Sequence, residues 1–292
     1  MLAWAVTFDL TLTIPLLYYL VVVRTGNARP LTIIPVFVVC AAIAALVVPR
    51  PYHHLLHDLR IIAAPLEVVT IVLLVLRLAA LRREKAHADP LARFEAAAQQ
   101  IFGRGPAAGF LASELAIVWY AIFGWNRRAD VPEGARSFTV HERGGWGSVL
   151  ACIIVLIVSE SIGLHLLVQL WSAKAAWILT SLDAYGLLWL FGDYNALRLR
   201  PSLVTKEMLE VRYGLRWSVT VPREQIAAIR PAAGESDWKR RGVLKVAMLE
   251  DPRYIIELRE PVVAAGLAGI RKTVHAIAIS PDDDSVIAEL KS

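Results

Sequence analysis

The sequence lacks the short motifs that mark most soluble enzymes. Its two cysteines, Cys40 and Cys152, both lie in apolar stretches, so neither is expected to form a disulfide bond. There is no CxxC or zinc-finger spacing, no glycine-rich phosphate loop, no nucleophile elbow and no dinucleotide fingerprint. No sequence motif therefore identifies a reaction.

Charge is also scarce. Charged residues make up 20% of the chain and hydrophobic residues 57%, and the mean hydropathy is +0.52. Soluble domains have about 25% charged and 45–50% apolar residues. The net charge of +5 is not gathered into a basic face, so no nucleic-acid partner is expected. The apolar excess excludes a disordered chain and predicts an α-helical integral membrane bundle.

The apolar residues form six long stretches, and a bilayer core of about 30 Å is crossed by a helix of roughly 20 residues. The first stretch lacks the basic region and cleavage site of a signal peptide, so we expect a retained span. Lys and Arg slightly favour the side of the termini, which predicts cytoplasmic termini in a plasma (bacterial inner) membrane. Five spans remain an alternative if a short stretch is re-entrant. The stretches are 2–23, 31–48, 61–81, 107–125, 147–171 and 175–197.

A short amphipathic helix is predicted near 90–102. Asp89 and Pro90 form a helix start, and apolar residues then recur at helical spacing. We interpret this segment as an interfacial helix at the membrane surface. The alternative is a helix that packs on the rest of the protein.

Residues 198–292 predict a small cytoplasmic β domain after the transmembrane domain 1–197. Segments 209–213 and 217–221 alternate with period two around a turn at Gly214-Leu215. Further strands are expected at 243–248, 254–258 and 274–279. Asp282, Asp283 and Asp284 then begin a last helix, because acidic residues stabilise a helix N-terminus. The domain is expected to be a barrel or sandwich with a closing helix.

This C-terminal pattern resembles the bacterial PH-like domains, which are often fused to transmembrane helices. The resemblance rests on 209–213, Gly214-Leu215-Arg216-Trp217, Val221-Pro222, Ile226 and the segment from Ile279 through Asp284 with its terminal helix. It covers about 90 residues and none of the spans. It implies a PH-like fold and binding of an anionic lipid or a membrane-protein partner, and it implies no reaction.

Titratable side chains inside the apolar stretches are the first candidate site. An acidic residue at the centre of a spanning helix costs roughly 2.5–3.5 kcal/mol. A series of such groups across the bilayer could form a proton or cation path. The alternative is that each acid fixes helix packing through hydrogen bonds. The candidates are Asp9, Glu67, Glu114, Glu160, His165 and Asp183.

Two further candidate sites lie outside the centres of the spans. His53 and His57 share a helix face if the segment is helical, a spacing that suits a divalent metal cofactor. Their alternative is an interfacial turn of polar rings. The segment Trp238-Lys239-Arg240-Arg241 could contact anionic lipid, or it could be a solvated loop.

Three functions follow from these candidates. The first is a membrane protein that handles protons or cations through its intramembrane carboxylates. The second is a scaffold or regulator that acts through the PH-like domain. The third is an integral membrane metalloenzyme with histidine and carboxylate ligands.

Overall fold

The described structure covers most of the chain outside one long segment. The computed structural model describes residues 2–26, 29–48, 72, 89–103 and 105–291. It divides into two units, Met1–Ser113 and Glu114–Ser292. Within the described residues, four helices are long and apolar enough to cross a membrane, which agrees with an integral membrane protein. The predicted span at 61–81 falls outside the described residues, apart from Val72.

Among its described residues outside the segment 49–88, the first unit contains three helices and the start of a fourth. Helix α1 begins as Leu2–Phe8 and continues through a π-helical turn at Asp9–Thr13, a stretch at Ile14–Tyr18 and a second π-helical turn at Tyr19–Val23. Pro15, just after the first π-helical turn, lacks the N–H that a regular helix needs, which explains the irregular winding. Helix α2 (Ile33–Val47) is shorter than the predicted span 31–48.

The predicted amphipathic helix is present as α3 (Pro90–Phe102). The side chain of Asp89 accepts a hydrogen bond from the Leu91 N–H at its start. Its buried face, including Ala98 and Ile101, packs against the beginning of α4 (Pro106–Phe123). The helix therefore uses its apolar side for contact within the protein. Its place at the membrane surface stays a prediction.

The second unit begins within α4 and contains a helical hairpin. Helices α5 (Trp146–Gln169) and α6 (Ala173–Leu199) pack on each other and are joined by a short turn. Most of their apolar surface is exposed, as expected for helices that face lipid. The N-cap of α6 is Ser172, whose hydroxyl accepts a hydrogen bond from the Ala175 N–H.

The β domain is an open, mixed sheet. Its strands pair in the order β1-β2-β3-β4-β7-β8-β6, and β5 pairs with β7. The pair β6–β8 is parallel, and the other pairs are antiparallel. The strands are β1 (Arg136–Phe138), β2 (Ser202–Val204), β3 (Met208–Tyr213), β4 (Trp217–Pro222), β5 (Ile226–Pro231), β6 (Val243–Val246), β7 (Tyr254–Gly266) and β8 (Arg271–Ile279).

The five predicted strands are present, but the barrel expectation is wrong. The sheet ends at β1 on one edge and at β6 on the other, and these edges do not pair. Strand β7 bends at an irregularity between Glu257 and Val262, so its first half pairs with β5 and its second half with β4. A one-turn helix α7 (Glu235–Trp238) precedes β6. The predicted closing helix is present as α8 (Ser285–Lys291).

Strand β1 comes from the loop between α4 and α5, before the residues 198–292 assigned to the β domain from the sequence. It pairs with β2 in register Arg136↔Val204, so the chain segments before α5 and after α6 lie together. The main core also includes helix residues Trp146, Leu150 and Leu197. The β domain and the ends of α5 and α6 therefore share one hydrophobic core.

Candidate functional site

Close contact between α4 and α6 positions the candidate membrane site. A methyl group at Gly192 would lie 2.5 Å from the carbonyl oxygen of Ile117, so glycine permits this approach. The Asn195 amide donates to the Tyr120 carbonyl at 3.1 Å. Going from Ile117 to Tyr120 along α4, the contact partner on α6 moves from Gly192 to Asn195. Helices α4 and α6 are therefore parallel, and both are antiparallel to α5.

Glu114 and Tyr185 form a direct polar contact between the same two helices. The Tyr185 hydroxyl donates to Glu114 Oε2 at 2.5 Å. Tyr185 lies 12 residues after the start of α6, which is about 18 Å along the helix and near the middle of a bilayer. The pair therefore joins an ionisable group and a hydroxyl at a depth where a carboxylate is costly.

His165 and Thr180 form a second polar contact, between α5 and α6. The His165 Nδ1 and Thr180 Oγ1 atoms are 2.7 Å apart, and the imidazole ring meets Trp177 edge-on at 5.1 Å. Moving five residues along each antiparallel helix from this contact reaches Glu160 on α5 and Tyr185 on α6. These two residues therefore lie at about the same membrane depth.

The predicted membrane acids of the second unit therefore lie at similar levels along its helices. Glu114, Glu160 and Asp183 all lie close to the level of Tyr185. Glu160 is exposed on α5, and Asp183 is half-buried on α6. Asp9 lies in the first unit, where it accepts a hydrogen bond from Thr13 Oγ1 at 3.1 Å. Glu67 falls outside the described residues.

The proposed metal site also falls outside the described residues, because His53 and His57 lie in the segment 49–71. Among residues 2–26, 29–48, 89–103 and 105–291, no group of three His, Cys, Asp or Glu side chains could hold a metal ion. The metalloenzyme hypothesis therefore gains no observation from the described part of the chain.

A buried ion pair joins α6 to the β domain. Asp193 Oδ2 lies 2.6 Å from Arg216 Nη2, and only 1% of the Asp193 side chain is exposed. The guanidinium stacks over the rings of Tyr213 and Trp146, at 5.2 and 6.0 Å from their centroids. We call Asp193, Arg216, Tyr213 and Trp146 the Arg216 junction. The sequence analysis missed Asp193, although it is an acid within the predicted span 175–197.

The ends of the three helices are fastened by other hydrogen bonds near the junction. Arg198 donates to the carbonyls of Gly124 and Trp125, just after the end of α4. Arg200 donates to the Gly214 carbonyl in the turn between β3 and β4. Cationic side chains thus bind the exposed carbonyls of a helix C-terminus and a turn, where negative partial charge collects.

The Asp282–Asp284 run does more than begin the last helix. Asp282 accepts three backbone N–H bonds, from His141, Glu142 and Arg143. These hold the segment before α5 against the β domain. Burial raises the pKa of Asp282, but hydrogen bonds, first from Thr139 and then from these N–H groups, outweigh it and leave the pKa below its usual value.

The β domain should lose stability in acid. Hydrogen bonds from Ser285 and Arg136 hold the pKa of Asp283 at about 2, and hydrogen bonds from Arg230 and the Ala233 N–H hold the pKa of Asp237 at about 2. An unfolded Asp titrates near pH 3.9, so this stabilisation is present above about pH 4 and is lost toward pH 2. We expect the melting temperature, followed by near-ultraviolet circular dichroism in detergent, to fall between pH 5 and pH 2.

The variant Asp283→Asn tests the cause of this acid effect. It lacks one of the titrating carboxyl groups, so its melting temperature should vary less between pH 5 and pH 2 than that of the wild-type protein. Equal slopes for the two proteins would contradict the assignment to Asp283.

The segment Trp238–Arg241 is less available for lipid than a free loop. Trp238 packs against a second small core of Val243, Ile255, Ala276 and Ala278, and Lys245 covers its ring at 4.1 Å. Lys239 pairs with Glu235 at 2.5 Å, and Arg240 pairs with Asp237 at 3.4 Å. Arg241 is exposed. Lipid contact by this segment stays a prediction.

Comparison with known proteins adds no relative. The chain matches no protein-family model, no curated protein and no solved structure.

Proposed function

We propose that this chain is a multi-pass membrane protein that handles protons or cations through its intramembrane carboxylates. The observation that carries the proposal is the hydrogen bond between Glu114 and Tyr185 at mid-membrane depth. The Tyr185 hydroxyl donates to the Glu114 carboxylate and so lowers the cost of keeping this acid ionised at that depth, where it can take up a proton or a cation. Glu160 and Asp183 at the same level offer further sites for the proton or cation.

The proposal includes a six-span topology with both termini in the cytoplasm of an inner (plasma) membrane. It also includes a PH-like fold for the β domain, supported by the eight strands and the closing helix α8. His165 and Thr180 lie toward the α5–α6 turn from Glu114, so in this proposal they extend the polar route toward the outer face.

Replacing Glu114 by glutamine should abolish transport, because glutamine keeps the size and a hydrogen-bond acceptor but cannot release a proton or carry charge. With the purified protein in liposomes that contain a pH-sensitive dye, we expect proton flux to fall about tenfold or more in Glu114→Gln. Tyr185→Phe should reduce flux by a smaller factor, since it removes only the donor.

Glu224→Gln is the matched control, because Glu224 is an exposed acid in the β domain. It should leave proton flux at the wild-type level. Wild-type flux in Glu114→Gln would overturn a role for this carboxyl group. The same assay repeated with gradients of monovalent cations distinguishes a proton carrier from a cation carrier.

A second candidate is a membrane scaffold or regulator that acts through the β domain on a lipid or protein partner. The Arg216 junction favours it, because a buried ion pair and a shared core join the β domain directly to α5 and α6. A wild-type protein without proton or cation flux, in the assay above, would favour this candidate over the first.

A further inference from the structure

The end of the β domain next to the helices lies at membrane level. Helix α6 covers about 30 Å between Ala173 and Asp193, which is the thickness of the hydrocarbon core. Beyond Asp193, the α6 residues Asn195, Ala196 and Leu197 are buried against the protein. The Arg216 junction therefore marks the boundary of the hydrocarbon, and groups around it lie among phospholipid headgroups.

Two loops of the β domain meet at Arg216. The Met248 Sδ atom lies 3.5 Å from Arg216 Nη1, and the Leu267 N–H donates to the Arg216 carbonyl at 3.1 Å. The first loop, 247–250, follows β6, and the second, 267–270, connects β7 and β8. Arg216 thus holds both loops near the end of α6, where it pairs with Asp193.

The first loop exposes a leucine in a strained conformation. Leu249 has φ of 60°, a region that costs a leucine free energy, and 58% of the residue is exposed. Its neighbour Met248 lies against Gly144, where a methyl group would be 2.5 Å from the Met248 carbonyl oxygen. Gly144 comes two residues before α5 begins. Leu249 is therefore held beside the start of a membrane-spanning helix.

The second loop exposes an isoleucine next to two cations. Ile270 is 60% exposed, and Arg271 and Lys272 follow it at the start of β8. Ala268 and Gly269, with φ of 57° and 75°, turn the chain, and Ile270 closes the turn by accepting a hydrogen bond from the Gly266 N–H at 2.7 Å. The Lys272 ammonium donates to the Val243 carbonyl at 2.9 Å, whereas Arg271 is exposed. An exposed apolar side chain beside an exposed cation suits the surface of an anionic bilayer.

We propose that Leu249 and Ile270 insert into the headgroup region of the phospholipid bilayer and seat the β domain on the membrane. Single exposed aliphatic residues are common on protein surfaces, so exposure alone would not support the proposal. The support comes from the position of Leu249 and Ile270 near the membrane end of the β domain. Both loops contact Arg216, which is itself paired with Asp193 in the last two turns of a spanning helix. The acidic residues Glu250 and Asp251 beside Leu249 limit the depth of that loop, whereas Arg271 draws the Ile270 loop toward anionic lipid. This inference does not depend on the carboxylates of the proposed function.

The test uses the full-length protein with one labelled cysteine in vesicles of phosphatidylethanolamine and phosphatidylglycerol. Leu249→Cys and Ile270→Cys are made in a Cys40→Ala/Cys152→Ala background and labelled with an environment-sensitive fluorophore. Met208→Cys is the matched aqueous control, because Met208 is 42% exposed at the opposite end of β3 from Tyr213. The native Cys152, exposed on α5, is the membrane reference in a Cys40→Ala protein.

We expect labels at positions 249 and 270 to have blue-shifted emission. Iodide should quench them several-fold less than it quenches the label at position 208. Lipids that carry a nitroxide near the glycerol end of the acyl chain should quench them strongly. Iodide quenching equal to that at position 208 would overturn the proposal. Protection from both iodide and the nitroxide lipids would also overturn it, because protein rather than lipid would then cover the two residues.

Discussion

Replacing Asp193 by alanine is expected to lower the free energy of unfolding by about 3–5 kcal/mol. The substitution leaves the Arg216 guanidinium without its carboxylate, between two aromatic rings and with 28% of its side chain exposed. Removing one partner of a buried pair costs more than the pair contributes, because the remaining charge stays desolvated. Denaturant titration in mild detergent, followed by near-ultraviolet circular dichroism, measures the change.

Two further variants separate the buried pair from ordinary surface charge. Glu235→Ala breaks the exposed pair with Lys239, and the free energy of unfolding should change by less than about 1 kcal/mol. The double variant Asp193→Leu/Arg216→Met removes both charges and should recover most of the loss. A change below about 1 kcal/mol in Asp193→Ala would show that Arg216 is solvated without its partner.

The isolated fragment 201–292 is expected not to fold. It contains most of the sheet but lacks β1 and the helix residues that complete the core. Each large apolar side chain contributes about 1.5–3 kcal/mol on burial, so losing five of them removes roughly 7–15 kcal/mol. This equals the whole stability of a typical domain, about 5–15 kcal/mol. The missing core residues are Phe138, Val140, Trp146, Leu150 and Leu197.

Amide chemical-shift dispersion in a ¹H–¹⁵N NMR spectrum reports the outcome. We expect narrow dispersion for the fragment 201–292. A control chain that joins residues 129–150 through a flexible Gly/Ser linker to residues 193–292 restores the missing core and should give a dispersed spectrum. A dispersed spectrum for the fragment alone would contradict the shared core and would support an independently folding β domain.

Much of the β domain could be predicted from local pattern. The alternation at Met208–Tyr213 and Trp217–Pro222, with Gly214 between them, fixes a hairpin without any distant contact. Strands β1 and β5 could not be recognised in this way. Strand β1 has three residues in a polar loop, and β5 is rich in alanine and ends in Pro231, so neither carries a period-two signal.

The residues of the candidate site could be predicted from the sequence, but their positions relative to one another could not. Glu114 and Glu160 are recognisable because charge is costly in an apolar stretch. The level of Glu114 depends on the packing of α4 beside α6 through Gly192 and Ile117, and that of Glu160 depends on the packing of α5 on α6. Asp193 lies in an apolar stretch as well, but its importance depends on Arg216, a distant residue in the sequence.

The pairing of β1 with β2 has a consequence for biogenesis. The ribosome releases Arg136–Phe138 before it makes α5 and α6, and it makes Ser202–Val204 only after them. At about 5–20 residues per second, β1 waits several seconds for its partner strand. The hairpin must enter the bilayer and return before the strands can meet. Membrane insertion therefore acts as a checkpoint for the sheet, because a failed insertion of α5 or α6 leaves the two strands on opposite sides of the membrane.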